Sequence, residues 1–414
     1  MNLLKTIMIP LVCAAWANLT AQAQSNLMIK ELWQIQGTPL GTERALDPYL
    51  ALTQSRLFIS GSIEIDRNRR QVIQVFDGQT GSYVQTIEDP TGTVFAGLGD
   101  VLAANEEFLV TSTYRGATAG SGSLQVFDTA TGEHLRTIEN PRAGDSSFFG
   151  QLPIAITGSR AMAGIALSDD NQSTVWIFDL ATGDVVLTID EPDDEGGFLS
   201  NAERTIFGFG KALSSTHALI SARQKSLGDL RGVGAAFLFD AKTGDLLQTF
   251  RPEDPQVDMF FGTKVALTDS MAFVEGSRNA GPMDWPIREI SAYDLQTGAL
   301  KYRLQDPYVP QTAEAVVAGQ QGSGFGFDFV ISNGLLIVGM PDLTLSGKRG
   351  VGGFQIYDAN TGERLMSYEH AAGTQNENLG YALVANGTRF GIVSTPEVAS
   401  FRKVTRFIMY ELER

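Results

Sequence analysis

The stretch TVWIFDLATGDVVLTI, residues 174–189, decides the fold. Two segments with alternating apolar residues flank a short turn that contains Asp179 and Gly183, and this pattern is typical of a β-hairpin. The carboxylate of Asp179 can accept hydrogen bonds from turn amides or from the Thr182 hydroxyl, and the glycine permits a positive φ. The segment therefore predicts two antiparallel strands joined by a tight turn.

The same hairpin recurs along the chain, with an aromatic residue, Asp, two variable residues and Thr-Gly in phase. The other copies are VIQVFDGQTGSYVQTI (72–87), SLQVFDTATGEHLRTI (123–138), AAFLFDAKTGDLLQTF (235–250), EISAYDLQTGALKYRL (289–304) and GFQIYDANTGERLMSY (353–368). A catalytic group is not needed in every repeat, so we interpret the repeated aspartates as structural. A second hairpin, opened by Phe-Gly or Leu-Gly, lies between these copies, as in residues 261–277. Each repeat thus has four strands, A to D.

The last repeat supplies strands A, B and C, the third of them VTRFIMYEL at 404–412. The segment KELWQIQ at 30–36, which precedes the first strand A near Tyr49, has the alternation needed for the missing strand D. We therefore predict an all-β fold, a seven-bladed β-propeller of four-stranded antiparallel blades. The N-terminal strand completes the last blade and closes the ring, which removes exposed sheet edges.

The first residues have the organisation of a secretory signal peptide. Lys5 precedes an apolar stretch at 7–16, and Ala21-Gln22-Ala23 has the small-x-small spacing of a cleavage site. We predict a signal peptide at 1–23, cleavage near Ala23, a single domain at 24–414, and a secreted or periplasmic location. The apolar stretch is too short to span a bilayer.

The only cysteine of the chain, Cys13, lies inside the predicted signal peptide. The mature protein would therefore contain neither a disulfide nor a thiol nucleophile. An alternative is that Cys13 carries a lipid anchor, but Val12 stands where such sites have a small residue.

The chain is acidic, with 47 Asp and Glu against 31 Lys and Arg and a formal net charge of -16. This balance argues against nucleic acid and anionic lipid as partners. No later segment approaches the length of a membrane span. We expect a monomer.

The two half-repeats resemble two known families of propellers. Phe-Gly opening a strand, together with Val338-Gly339-Met340-Pro341, resembles the FG-GAP repeats of integrin α-subunits and their bacterial relatives. The Phe-Asp-x-x-Thr-Gly hairpin resembles the repeat of quinoprotein-type (PQQ-like) propellers. Together the resemblances cover essentially the whole mature chain and imply a propeller.

The cofactors of these families are not expected here. FG-GAP repeats that bind calcium use an Asp/Asn-rich loop between strands A and B, whereas residues 268–270 give too few oxygen ligands. Quinoprotein blades carry a tryptophan after the Thr-Gly turn, and the equivalent positions here include Ile138, Ile189 and Leu304. We predict no calcium, no quinone and no other cofactor.

The loops between strands B and C concentrate cations in this acidic chain. Those that we select as ligand-binding candidates are Arg231, Arg288, Arg349 and Arg402. They share a face of the disc with the D–A loops and could attract an acidic ligand to the funnel. The alternative is that they pair with D–A carboxylates such as Glu88 and Glu191, and exposed pairs of that kind contribute little.

The mouth of the funnel offers a second set of candidates. Strand A is innermost in a propeller, and the residue after Phe-Gly lies near the mouth, where Tyr49, Phe327 and Tyr381 are expected. Aromatic and polar side chains at a concave mouth suit a small ligand or a glycan. The alternative is that these rings only fill the channel.

The sequence shows no convergent catalytic set. The three histidines, His134, His217 and His370, fall on different faces of the disc, so we expect neither a metal site nor a histidine-based nucleophile system. We therefore expect a non-enzymatic, extracytoplasmic binding or scaffold propeller that presents one loop face to a protein or an acidic glycan. The alternative is a secreted polysaccharide lyase or glycan hydrolase with its site at the funnel.

Overall fold

The computed structural model describes residues 27–36, 44–65, 68–92, 97–115, 119–142, 149–165, 173–192, 205–279, 286–317, 321–395, 397–398, 401–402 and 406–413. Within some strands it gives the backbone but not the side chains, and Arg402 is one such residue. The predicted signal peptide at 1–23 lies outside the described residues.

The described chain forms seven antiparallel sheets of four strands each, which are the blades of a β-propeller. Blade 1 contains β2 (Arg44–Leu52), β3 (Arg56–Ile65), β4 (Asn68–Asp77) and β5 (Tyr83–Glu88). Blade 2 contains β6 (Leu102–Ala104), β7 (Phe108–Arg115), β8 (Ala119–Asp128) and β9 (His134–Glu139). Blade 3 contains β10 (Ala155–Thr157), β11 (Arg160–Ile165), β12 (Thr174–Asp179) and β13 (Val185–Asp190).

The next three blades follow the same order along the chain. Blade 4 contains β14 (Phe207–Leu213), β15 (His217–Ala222), β16 (Ala235–Asp240) and β17 (Leu246–Phe250). Blade 5 contains β18 (Val265–Leu267), β19 (Met271–Asn279), β20 (Pro286–Asp294) and β21 (Leu300–Gln305). Blade 6 contains β22 (Phe329–Ser332), β23 (Leu335–Gly339), β24 (Gly353–Asp358) and β25 (Arg364–Glu369). A short helix, α1 (Ala313–Val317), lies between blades 5 and 6 in sequence.

Blade 7 is built from both ends of the chain. It contains β26 (Ala382–Asn386), β27 (Arg389–Ser394), β30 (Arg406–Glu413) and β1 (Met28–Gln36), and a small hairpin of β28 (Glu397–Val398) and β29 (Phe401–Arg402) lies beside it in sequence. Strand β1 pairs antiparallel with β30, from Met28 opposite Glu413 to Gln36 opposite Arg406. The predicted seven-bladed fold and its closure by the N-terminal strand are confirmed.

The repeated aspartates shape the turns between strands C and D. In blade 5, Asp294 Oδ1 accepts hydrogen bonds from the amide and the hydroxyl of Thr297, each at 2.9 Å. The following Gly298 has a φ of 71°. These bonds lower the pKa of Asp294, with the Thr297 amide as the main cause. Equivalent bonds hold the other copies, so the structural role predicted for the aspartates is confirmed.

The apolar core lies between neighbouring blades. Val175 and Ile177 of blade 3, for example, share one buried cluster with Phe207 and Phe237 of blade 4. The strands A of adjacent blades contact one another around the centre, so strand A is innermost. Within the described ranges, no helix has the length and apolar character required to cross a membrane.

Candidate ligand site at the funnel

A cavity of about 470 Å³ opens where blades 4, 5 and 6 meet, on the face of the B–C and D–A loops. We call it the funnel cavity. Its lining combines charged groups with apolar and small polar ones, namely Arg223, Met259, Phe260, Thr263, Glu275, Ser277, Pro286, Arg288, Asp306, Gln321, Gly322, Gly324 and Asp342. A concave site with a few charged groups among apolar ones is the usual form of a small-ligand site.

Glu275 on β19 interrupts the repeat. Glu275 pairs with Ile290 of strand C. The strand-B residue at the same register is Ser, Gly or Val in the other blades, as the pairing of strands B and C shows for Ser60, Ser112, Gly164, Ser221, Gly339 and Val393. The position is normally small because the Phe-Gly glycine of the next blade packs on it, and a Cβ on Gly262 would lie 2.5 Å from Ser221 Cβ. Blade 5 places a carboxyl group there instead, with only 2% of the residue exposed.

Burial controls the ionisation of Glu275. It raises the pKa of this carboxyl to about 7, although the charges of Arg288, Arg223 and Lys264 act in the opposite direction. Arg288 Nη1 donates to Glu275 Oε1 at 3.1 Å. The second oxygen, Oε2, is buried and has no hydrogen-bond partner among the described residues. A carboxyl with an unused buried acceptor, beside a cavity and two guanidinium groups, is a candidate functional group.

Arg223 supplies the second guanidinium of the cavity. Its Cζ lies 4.3 Å from the ring centre of Phe209 and 5.3 Å from that of Phe260, within the range of cation–π contact. Burial lowers the pKa of Arg223, and the charge of Glu275 has a smaller effect that raises this pKa. The aromatic rings therefore hold the arginine at the cavity wall.

Lys264 and Asp328 form an ion pair beside the cavity, one step deeper in the funnel. Lys264 Nζ donates to Asp328 Oδ1, and Asp328 Oδ2 accepts from the Leu383 amide at 2.7 Å. The carboxylate thus links blades 5 and 7. Burial lowers the pKa of Lys264 to about 8, against the opposing charge of Glu275.

The predicted funnel aromatics lie next to one another and define what we call the aromatic arc: Phe327, Tyr381 and Tyr49. The rings of Phe327 and Tyr381 are 4.7 Å apart. Burial raises the pKa of Tyr49, and the smaller effects of Asp100 and Tyr381 show that these groups are its neighbours. Phe327 is 37% exposed and Tyr49 47%, so the arc presents ring surface to solvent.

Arg288 is the predicted arginine that the structure brings to this site. Its Cζ lies 5.6 Å from the ring centre of Phe327, so it joins the funnel cavity to the aromatic arc. Arg231 and Arg349 are exposed and do not line the cavity. Arg402 lies in β29, and its side chain is outside the described residues. Whether any of these residues binds a ligand remains a prediction.

Some cations of this face pair with carboxylates, as the alternative interpretation anticipated. Lys225 Nζ lies 2.8 Å from Glu191 Oε1, in the D–A segment after β13. Two other pairs lie within one blade: Arg70 Nη1 is 3.8 Å from Glu88 Oε2 in blade 1, and Arg278 Nε is 3.1 Å from Glu289 Oε2 in blade 5. These three cations are therefore compensated by carboxylates, whereas Arg223 and Arg288 line the funnel cavity together with apolar side chains.

The histidines lie apart, each with a local partner. His134 Nε2 contacts Gln125 Oε1 at 2.9 Å, and His370 Nε2 lies 3.2 Å from Glu377 Oε1. In the described part of the chain, no three His, Cys, Asp or Glu side chains are grouped so that they could hold a metal ion.

The sequence predicts the cationic loops and the funnel aromatics but not Glu275 or the cavity. The available signal was a charged residue at a strand-B position that is Ser, Gly or Val in other repeats. Gln321, Gly322 and Gly324 also line the cavity, and a repeat pattern does not specify where the loop that carries them lies.

Comparison with known proteins shows the fold alone. No protein-family model matches the sequence, and no curated protein matches it. Among solved structures, the WD40 repeats of RRP9 are similar with a TM-score of 0.56 and 10% identity, covering 93% of this chain and 97% of theirs. The β-propeller domain of the trilobed protease from Pyrococcus furiosus has a TM-score of 0.50 and 9% identity, covering 91% and 96%.

A quinohemoprotein alcohol dehydrogenase from Pseudomonas putida HK5 is also among the structural neighbours, with a TM-score of 0.47, 10% identity and coverage of 92% of this chain and 76% of that one. The seven-bladed fold itself rests on the seven four-stranded sheets described above. The FG-GAP resemblance and the absence of calcium loops remain predictions.

Proposed function

We propose that this protein is a non-enzymatic binding propeller that acts outside the cytoplasm and takes an acidic glycan at its funnel face. The observation that carries the proposal is the position of Arg288, which contacts Glu275 in the funnel cavity and lies 5.6 Å from Phe327 of the aromatic arc. The extracytoplasmic location rests on the signal peptide predicted at 1–23.

The two parts of the site suit the two chemical faces of a charged sugar. Exposed aromatic rings can pack against the apolar C–H face of a pyranose ring, and Phe327 and Tyr49 present such surface. Guanidinium groups recognise carboxylates through charge-assisted, bidentate hydrogen bonds, and Arg223 and Arg288 line the adjoining cavity. A concave site of this size favours a glycan over a flat protein surface.

Calorimetric titration of the mature protein with a panel of uronate oligosaccharides and matched neutral oligosaccharides tests the proposal. We expect binding of at least one uronate oligosaccharide, weakened by salt, and a loss of tenfold or more in the variant Arg223→Met/Arg288→Met. Phe327→Ala should weaken both acidic and neutral ligands. Arg231→Met, outside the cavity, is the matched control and should bind as the unmodified protein does.

Thermal melts of each variant separate a binding effect from unfolding, because Arg288 also holds the buried Glu275. A panel without any ligand, or a ligand whose affinity is unchanged in the double arginine variant, would refute the proposal.

A glycan lyase or hydrolase is the second candidate. It is favoured by the Glu275 pKa of about 7, since a carboxyl that titrates near neutrality suits general acid–base catalysis. Incubation with the same oligosaccharides decides between the two. Unsaturated products seen by ultraviolet absorbance, or new reducing ends, would establish an enzyme and overturn the non-enzymatic proposal.

A further inference from the structure

We infer that the carboxylate of a uronate-type sugar binds between Arg223 and Arg288, and that Glu275, which holds Arg288 in this structure, takes up one proton when this ligand binds. The inference rests on the proposed function and adds the ligand class and the residue that sets it. Glu275 acts as a specificity residue that makes the cavity prefer carboxylated over neutral sugars, most strongly at acidic pH.

Geometry provides the first step of the argument. Glu275 is the carboxyl that blade 5 places where other blades have Ser, Gly or Val, and it lies at the wall of the funnel cavity. Arg288 Nη1 contacts Oε1, while Oε2 has no hydrogen-bond partner among the described residues. A second carboxylate entering between the arginines would compete with Glu275 for Arg288 and would repel its charge.

The charges around Glu275 provide the second step. Arg288 reaches it from β20, Arg223 from the loop after β15, and Lys264 from the residue before β18. Lys264 is already paired with Asp328. Asp306 lines the same cavity, but its oxygens accept from the Ser323 amide and hydroxyl and from the Tyr308 amide. Asp342 is a further carboxylate in the lining of the cavity.

The third step is the ease of protonation. Because burial places the pKa of Glu275 near 7, the neutral acid is accessible at neutral pH, and a nearby anion would raise the pKa further. The neutral acid leaves both guanidinium groups to the ligand, and its hydroxyl can donate a hydrogen bond to the ligand carboxylate. A neutral sugar gains nothing from this proton transfer.

The probe for the test is D-glucuronate, with its methyl ester as a neutral ligand of nearly the same shape. Titration calorimetry in HEPES and in Tris at pH 7.5 counts the protons exchanged, because the two buffers differ in their enthalpy of ionisation. We expect uptake of most of one proton per D-glucuronate and none for the ester. This measurement needs no variant and therefore does not depend on how substitutions fold.

The variant Glu275→Gln supplies the second arm. Affinity of the unmodified protein for D-glucuronate should fall about tenfold from pH 6 to pH 8, as expected for one site titrating near 7. In Glu275→Gln the affinity for D-glucuronate should not depend on pH until Lys264 loses its proton. At pH 8 the affinity of this variant should exceed that of the unmodified protein about tenfold. Glu289→Gln, which alters a buried carboxylate of the same blade outside the cavity, is the control and should keep the dependence.

The outcomes separate the two proposals. D-Glucuronate binding without proton uptake, or with the same pH profile in Glu275→Gln, would overturn this inference and leave the acidic-glycan proposal standing. Equal affinity for the ester would overturn the role of the carboxylate. If neither D-glucuronate nor any acidic oligosaccharide of the panel binds, both proposals fail together.

Discussion

Arg389 of the last blade donates a hydrogen bond from Nη1 to the carbonyl oxygen of Gly78 in the first blade, at 2.8 Å. Its Nη2 reaches a second carbonyl of the same blade, that of Gln54, at 3.0 Å. The seam between the two ends of the ring is thus held by a cation on backbone acceptors as well as by the β1–β30 pairing.

The first prediction concerns that cation. Arg389→Met should lower the free energy of unfolding by about 1–2 kcal/mol, because two charge-assisted bonds to backbone carbonyls are lost at a partly exposed site. Urea unfolding followed by circular dichroism measures it. Arg364→Met, at an exposed arginine of blade 6, is the control and should change the value by less than about 0.5 kcal/mol. Equal effects of both variants would mean that the seam does not depend on Arg389.

Removal of the closing strand is the second prediction. Deleting residues 24–36 exposes the edge of β30 and removes Trp33, whose ring lies 5.6 Å from that of Phe407. We expect a clearly lower melting temperature or aggregation, since an unpaired strand edge promotes association. Differential scanning calorimetry and light scattering provide the readout. A truncated protein that melts like the mature chain would remove the closure argument.

The third prediction tests the close approach of neighbouring blades. A Cβ on Gly339 would lie 2.1 Å from the carbonyl oxygen of Gly380 in the next blade, so Gly339→Ala must displace backbone and should destabilise by roughly 3 kcal/mol. Gly387 has a φ of 60° and nothing within 4 Å of its Cβ direction. Gly387→Ala should therefore cost only about 1 kcal/mol, the penalty of a left-handed backbone. Gly339→Ala should therefore melt at a lower temperature than Gly387→Ala. If Gly387→Ala melted lower, the close approach of blades 6 and 7 at Gly339 would be contradicted.

Much of this architecture was predictable from sequence because it is periodic. The hairpin around Asp179 and its five copies predicted six blades, and the last repeat together with the alternation in 30–36 predicted the seventh and its closing strand. Repeat alignment also placed Phe327 and Tyr381 near each other. The role of Glu275 was not predicted, because a repeat pattern describes only what the blades share. Glu275 is a side chain of the funnel cavity that departs from the repeat. Arg231 and Arg349 were grouped with Arg288 by loop class, but side chains of one loop class can point away from the funnel.

Lys211 provides the fourth prediction. It is buried, its Nζ donates to the Gly208 carbonyl, and burial lowers its pKa to about 7. A lysine with a depressed folded-state pKa costs stability in its charged form, fully below pH 7, and stability should recover as pH rises from 7 toward its usual pKa of 10.5. Lys211→Met should therefore raise the free energy of unfolding by roughly 2–4 kcal/mol at pH 6, since each pKa unit corresponds to about 1.4 kcal/mol.

Chemical unfolding of the Lys211→Met variant at pH 6 and pH 9.5 checks both the sign and the pH window. The gain should shrink at the higher pH, because the unmodified lysine is then neutral in the folded protein. Lys301→Met, at a half-exposed lysine that pairs with Asp294, is the control and should show no gain at either pH. A destabilised Lys211→Met variant would indicate that the bond to Gly208 outweighs the burial of the charge.

Blade 7 combines strands that are far apart in sequence, so we expect it to be completed after the other blades. Blades 1 to 6 are each continuous in sequence, so their hairpins form by local contacts that are fast to find. Strand β1 precedes all the other described strands in sequence, whereas its partner β30 follows them. Until they meet, the growing arc has an unpaired edge at each end, and the edge of β30 is a template for strands of other molecules. The period before closure is therefore when this protein is most exposed to misassembly, and a folding factor that covers β1 would act during that period.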